Sequence, residues 1–343
     1  MRFESTAFRG FRNLGAARRL VWGSGLNLIL GPNGAGKTNL LESLNVLSGW
    51  GPFSGKVRAA VAWDSPDGRA LLGARAVGER DVEVAALLSS RMTLKVDGER
   101  ASGSELRSRL PSLSFLPADI GLVDGAPAVR RRFLDRLCAL CIPPYARRLG
   151  EYRQLLRHRT ALLRQGRSPE RTTLPFVRLG GWILESRRRV LARMAEGASR
   201  ETLLPFPFSL RIEPEFTGDG SEFLLAALEA AAEQEAQARR PLAGPHRDDL
   251  ILSCQGRPAC LSLSRGQKRR LVVSLILMAG RFVAAYLRIK PILLLDDLGA
   301  ELDAAARREA GILLLNTGWQ AFVTGTENPF PELAERSYIH SLA

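Results

Sequence analysis

The spacing of hydrophobic and polar positions changes character along this chain, and the changes divide it. Residues 1–8 alternate as a half-buried strand does, 11–14 read as a turn, and 18–22 as a second short strand. The unbroken apolar run 26–30 predicts a buried strand, and 38–47 a helix. Residues 48–55, rich in Gly and Ser, read as a loop. Short apolar runs at 59–63, 69–77, 82–88 and 92–96, separated by signals such as Pro66-Asp67-Gly68 and Asp97-Gly98, predict antiparallel hairpins beside a parallel sheet.

Beyond residue 110 the period lengthens. After a last strand-like piece at 114–117 and a connection at 118–125, residues 129–142, 144–165 and 176–198 read as three helices, with a break at 166–175. Leu149, Tyr152, Leu156 and Leu163 recur at helical spacing and leave Arg153, Arg157 and Arg164 to other faces. No heptad pattern persists long enough for an extended coiled coil. Strand patterning then returns at 208–216 and 249–254, around an Ala/Glu-rich helix at 222–240. A helix at 268–287, a buried strand at 291–297 that ends in two carboxylates, and a strand at 320–323 complete the reading. The fold class expected is α/β: residues 1–112 and 205–343 form the two parts of one head with mixed sheets, and 113–204 a helical insertion.

Composition adds little until charge is mapped. The chain has 343 residues, 45% of them hydrophobic, and a formal charge of +14. Between Arg130 and Arg193 stand 17 Arg, no Lys and four acids, so this segment alone carries +13. A solvated helical face accounts for arginines but not for the shortage of acids; a nucleic-acid-binding surface accounts for both. Residues 1–7 hold no apolar signal region, and the longest apolar stretch, 271–287, is broken by Arg281, so a cytoplasmic protein without a membrane span is expected. Cys138 and Cys141 stand one helical turn apart and read as buried apolar thiols rather than half of a zinc site.

Chemistry enters at Gly31-Pro32-Asn33-Gly34-Ala35-Gly36-Lys37-Thr38, which matches G-x-x-x-x-G-K-[ST] between a predicted strand and a predicted helix. Glycines let a backbone curl its N–H groups around an anion, and the helix start adds its positive dipole end. Lys37 supplies a point charge for the outer phosphates and Thr38 a hydroxyl for Mg²⁺, so ATP and Mg²⁺ are the expected cofactors. Asp296, at the end of the buried strand, is the expected second Mg²⁺ ligand, and Asp297 is placed to orient or deprotonate the attacking water. Lys37 and Asp296 are 259 positions apart, more than a compact phosphate-loop enzyme needs.

That interval contains Ser264-Arg265-Gly266-Gln267 at a predicted helix start, which resembles the signature motif of ABC-type ATPases. Taken with Phe11-Arg12-Asn13-Leu14, Lys37 to Glu42, Gly125-Ala126-Pro127, Arg130 to Asp135, Pro144-Tyr145, Gly244-Pro245-His246-Arg247-Asp248-Asp249-Leu250 and Glu301-Leu302-Asp303, it is similar over nearly the whole length to the RecF family of SMC-like ATPases. The resemblance implies an ABC-type ATPase head and an ATP-dependent homodimer that binds duplex DNA at single-strand gaps. It also implies slow hydrolysis that drives release, and RecA loading with RecO and RecR in recombinational repair. Carried over by residue, Gly31 to Lys37, Thr38 and Asn39 bind nucleotide; Lys37, Asp297 and Ser264 are catalytic; Thr38 and Asp296 hold the metal. Ser264, Gly266 and Gln267 meet the partner's nucleotide, and Asp303 stands at the dimer interface. Candidate DNA contacts are Arg130, Arg131, Arg132, Arg153 and Arg157. Ala300 stands where a Ser is usual, Pro117-Ala118-Asp119 lacks one acid, and Ser54-Gly55-Lys56 replaces Ser-x-Arg. Thr324 and Thr326 take the place of a histidine as expected γ-phosphate sensor, and His246 and Arg247 have no assigned role. The competing class is the nucleotide-binding subunit of a transporter, which predicts a near-neutral helical part and a Gln loop.

Overall fold

The computed structural model describes residues 1–14, 18–196, 202–299 and 302–342. The first part of the chain forms β1 (Arg2–Arg9), β2 (Arg18–Val21), β3 (Leu26–Leu30), α1 (Lys37–Leu47), β4 (Ala70–Val77), β5 (Val82–Leu88), β6 (Met92–Val96), β7 (Glu99–Ala101), α2 (Gly103–Arg109) and β8 (Ser112–Phe115). Next come α3 (Gly121–Asp124), α4 (Pro127–Cys141), α5 (Tyr145–Arg164), α6 (Glu170–Glu196), β9 (Phe208–Glu213), α7 (Gly220–Ala230), α8 (Ala232–Ala238), β10 (Asp249–Cys254), β11 (Arg257–Pro258) and α9 (Ala259–Ser262). The chain closes with α10 (Arg265–Leu287), β12 (Ile292–Leu295), α11 (Ala304–Thr317), β13 (Ala321–Gly325) and β14 (Ser337–Ser341).

Two compact units result. The first holds residues 1–120, 200–205 and 264–343, the second 121–199 and 206–263. In the first unit β14-β3-β13-β12-β8 form a parallel sheet and β2-β1-β4-β5-β6-β7 an antiparallel one. Helix α1 packs against both: Leu40, Leu41, Leu44 and Leu47 share one core with Ile29, Leu294 and Phe322 on one side and Leu72 and Val84 on the other. The alternation expected in β4 and β5 is present, with Ala70, Leu72, Ala74 and Ala76 inward on β4 and Val82, Val84, Ala86 and Leu88 inward on β5. The run 59–63 is not a strand. Its Ala60 carbonyl accepts from Arg12 N and Ala62 N donates to Gly10, which ties a 3₁₀ turn at Val57–Ala60 to the 10–12 turn and leaves Trp63 fully exposed. Helix α10 is long and apolar enough to cross a membrane by length and composition, Arg281 notwithstanding, but 67% of its most apolar window is buried in the fold.

The second unit differs from the expected insertion 113–204. It begins at 121 and also takes in 206–263, because β9, β10 and β11 form a sheet of their own that packs with α4 and α6. The helix expected at 176–198 starts six residues early at Glu170 and runs through Pro175. The expected helix 222–240 is two, α7 and α8. At Gly181 a Cβ would lie 2.4 Å from the backbone N of Ser221, so only glycine lets α6 approach the start of α7. Cys138 and Cys141 are buried free thiols, as expected, and burial pushes Cys141 up to about 12.

Candidate nucleotide-binding site

Strands β3, β12 and β13 run in parallel, so the residues that follow them gather at one edge of the sheet. This is the edge where open α/β sheets bind ligands. Here lies a cavity of about 360 Å³ lined by Asn13, Asn33, Gly34, Gly36, Lys37, Thr38, Asn39, Pro117, Asp296, Asp297, Thr324 and Thr326. A larger groove, about 950 Å³, lies at the opposite ends of the strands beside Gly25, Pro291 and Gln320 and holds none of the residues singled out from the sequence.

The loop has the backbone that its glycines foretell. Gly34 and Gly36 have φ of 88° and 94°, and no side chain caps α1, so its first N–H groups point at the cavity edge. Lys37 Nζ donates to the carbonyls of Gly31 (2.7 Å) and Pro32 (2.8 Å), which folds the ammonium over the loop. Asn13, in the Phe11-Arg12-Asn13-Leu14 motif, has a bracing role. Its Nδ2 donates to Gly34 O at 2.9 Å and its Oδ1 accepts from Asn39 at 2.6 Å, bracing the loop from outside. Arg12, its neighbour, makes a bidentate pair with buried Glu42 of α1 at 2.8 and 2.9 Å. A glutamate among the apolar positions of α1 was the available signal for such a partner.

Opposite the loop, Thr38 Oγ1 donates to both oxygens of Asp296 (2.9 and 3.1 Å), and Thr324 Oγ1 donates to Asp296 Oδ1 at 2.6 Å. Thr324 also accepts from Asp297 N at 2.9 Å and is fully buried. It therefore locks the end of β12, and Thr326 is the exposed hydroxyl of the pair. A hydroxyl and a carboxylate converging at a cavity edge are hard oxygen donors, the set that Mg²⁺ takes with water and phosphate. The donor set fits the expected ion. Asp297 lines the cavity half-exposed, with φ of 50°.

The second group of predicted residues stands elsewhere in the same unit. Ser264 caps α10 in a capping box: Gln267 N donates to Ser264 Oγ, and Ser264 N to Gln267 Oε1 at 2.9 Å. Asp303 caps α11 and pairs with Arg270 at 2.6 Å. Neither Ser264, Gly266, Gln267 nor Asp303 lines the cavity of its own chain. Residues 300 and 301, including the Ala300 departure and Glu301, lie outside the described residues. Arg269, with no motif to single it out, is buried on α10; its guanidinium lies over Phe115 and reaches Asp297 O at 3.5 Å.

In the second unit the arginines separate into two populations. Arg187 is buried and bonds Asp135 (2.8 Å), Asp248 (2.7 Å) and Pro245 O (2.6 Å). Arg159 pairs with buried Glu235 at 2.9 Å, and Arg130 makes a bidentate pair with Asp249 at 2.7 Å. Arg131, half-buried, donates to Asp248 O. Arg130 and Arg131 are thus committed to holding residues 245–249 and leave the candidate DNA surface; Arg132, Arg153 and Arg157 remain exposed. Three of these acids come from 206–263, so the unit carries 22 basic and 15 acidic residues, net +7 rather than +13. His246 gains a place in the same network: Nδ1 meets Tyr152 OH at 2.7 Å, and burial holds the imidazole down at about 4.

Known proteins resemble this chain over nearly its whole length. The model of the RecF/RecN/SMC N terminal domain matches residues 3–341. The DNA replication and repair protein RecF of Moorella thermoacetica is 33% identical over 96% of this chain and 93% of its own length. The RecF of Deinococcus deserti is 34% identical over 95% and 91%. Among solved structures, the recombination mediator protein RecF-ATP of the RecFOR pathway superposes with a TM-score of 0.83 at 25% identity, covering 95% of this chain and 92% of that one. An SMC head bound to the C-winged helix domain of ScpA shares the fold, with a TM-score of 0.56 at 16% identity over 96% and 91%.

Proposed function

The chain belongs to the RecF family of SMC-like proteins, and from that premise we propose that it is an ATP-dependent DNA-binding ATPase of replication and recombinational repair. The transporter alternative is set aside with the family. The observation that carries the reading is the meeting of Thr38 and Asp296 across from the Gly34–Lys37 backbone at the carboxyl edge of one parallel sheet. ATP lays its phosphates along that backbone, and the Lys37 ammonium swings from two loop carbonyls to the outer phosphates. Thr38 and Asp296 are the residues that would hold Mg²⁺, which would offset the charge of the phosphates. Asp297 orients the attacking water or takes its proton, and Thr326 is the hydroxyl within reach of the γ-phosphate.

Ser264, Gly266, Gln267 and Asp303 sit away from this cavity, which supports their use against the nucleotide of a second copy. ATP then joins two copies, and the dimer holds duplex DNA at single-strand gaps. It assists RecA loading with RecO and RecR, and weak, DNA-stimulated hydrolysis releases it. Sedimentation with and without ATP and Mg²⁺ tests the dimer, and binding to gapped, single-stranded and fully duplex DNA tests the substrate. The expected result is an ATP-induced dimer that prefers gapped duplex. A monomer unchanged by saturating ATP and Mg²⁺ would overturn the shared site.

A further inference from the structure

Once the buried ion pairs are set aside, three of the exposed arginines of α5 form a line. Helix α5 buries Tyr145, Leu149, Tyr152, Arg159 and Leu163. Arg153, Arg157 and Arg164 follow at steps of four and seven residues, which at 100° per residue places all three within an arc of about 40°. At about 1.5 Å per residue the line is about 16 Å long. Exposed Ala161 lies beside it.

Pairing distinguishes this line from an ordinary solvated face. Arg153 is 58% exposed and touches Asp135 only at 3.5 Å, and among the described residues neither Arg157 nor Arg164 has an ion-pair or hydrogen-bond partner. The acid of α5, Glu151, lies about a third of a turn away and is taken by Arg147, while Arg148 stacks on Trp182. A face kept only for solubility mixes both signs. This one holds a single sign, with guanidinium forks suited to phosphate oxygens.

We propose that the α5 face bearing Arg153, Arg157 and Arg164 is a phosphate track that takes the backbone of duplex DNA. The proposal rests on the DNA-binding reading above and gives that reading a surface. One strand presents a phosphate about every 3.4 Å along the duplex axis, so the line spans about five phosphates, enough for three separate contacts.

The test uses the full chain with ATP and Mg²⁺, measuring duplex affinity across a series of KCl concentrations. Each lost phosphate contact removes about 0.9 from the slope of log K against log salt, so R153Q/R157Q/R164Q should flatten it by about 2.7. R153K/R157K/R164K should restore most of the slope, and R147Q, off the line, should leave it unchanged. Duplex binding by the wild type with the same slope in the triple Gln variant would overturn the track and leave the functional reading standing. An absence of duplex binding by the wild type at low salt would overturn both. A slope lost equally in R147Q would replace the track with diffuse charge.

Discussion

Asp296 is held by two hydroxyls, Thr38 and Thr324, which join the phosphate loop, β12 and β13 at one carboxylate. Asp296→Asn keeps the size and some hydrogen bonds but removes the charge, so phosphate release should fall by at least roughly 100-fold while ATP still binds. Unchanged turnover would take Asp296 out of the site. Lys37→Met should abolish ATP binding in a fluorescent-nucleotide titration, and Lys37→Arg should bind but turn over slowly. A second residue-scale prediction concerns pH. Burial is the main cause of both His246 at about 4 and Asp248 at about 6. His246, depressed from 6.5, contributes stability that is present above 6.5 and lost as the pH falls through about 4. Asp248, raised from 3.8, contributes stability that is present below 3.8 and lost as the pH rises through about 6. Each is worth about 3 kcal/mol at full extent, and between pH 6 and 4 they oppose one another. Asp248→Asn removes one side of the balance, so its Tm should drop more steeply than that of the wild type from pH 6 to 4 in melts at fixed ionic strength. Parallel curves would mean that Asp248 does not titrate in that window.

At the scale of elements, α10 carries two demands at its N-cap. Ser264 is its cap, and under the dimer reading it is also a contact to a partner's nucleotide. Ser264→Ala should cost about 1 kcal/mol of stability through the cap. Ser264→Asp keeps a capping oxygen but sets a negative charge against phosphate, so it should keep its Tm and lose ATP-dependent dimerisation in sedimentation. A Ser264→Asp protein that still dimerises with ATP would leave Ser264 as a cap alone. What could be read in the sequence follows from range. The run from β3 through α1 was legible because strand, glycines, Lys37 and helix are consecutive, each rule acting within a few residues. The 3₁₀ turn at Val57–Ala60 was not, since bonds to residues 10 and 12, nearly fifty positions earlier, override an apolar run that otherwise suits a strand. Thr324 was legible as a hydroxyl near the site. Its use in fastening Asp296 needed the pairing of β12 with β13.

On the scale of the molecule, the charge map and the division into units rest on the same long-range pairs. The arginines of 130–193 look unpaired in sequence because Glu235, Asp248 and Asp249 lie up to 119 positions from their partners. A fragment of residues 121–263 keeps all of those pairs and should melt cooperatively by circular dichroism. A fragment of 113–204 leaves Arg159 without Glu235, at about 3–5 kcal/mol for a buried charge without a partner, and takes Asp248 but not Asp135 from Arg187, so it should not fold. Equal melting of the two fragments would show that the pairs are dispensable.

The Arg187 pairing also sets a timetable. Asp248 follows Arg187 by 61 residues, which at about 5–20 residues per second of synthesis is a delay of about 3–12 s. For that interval the emerging helices hold a guanidinium whose final partner has not yet been made, so closure of the second unit waits on translation of its last third.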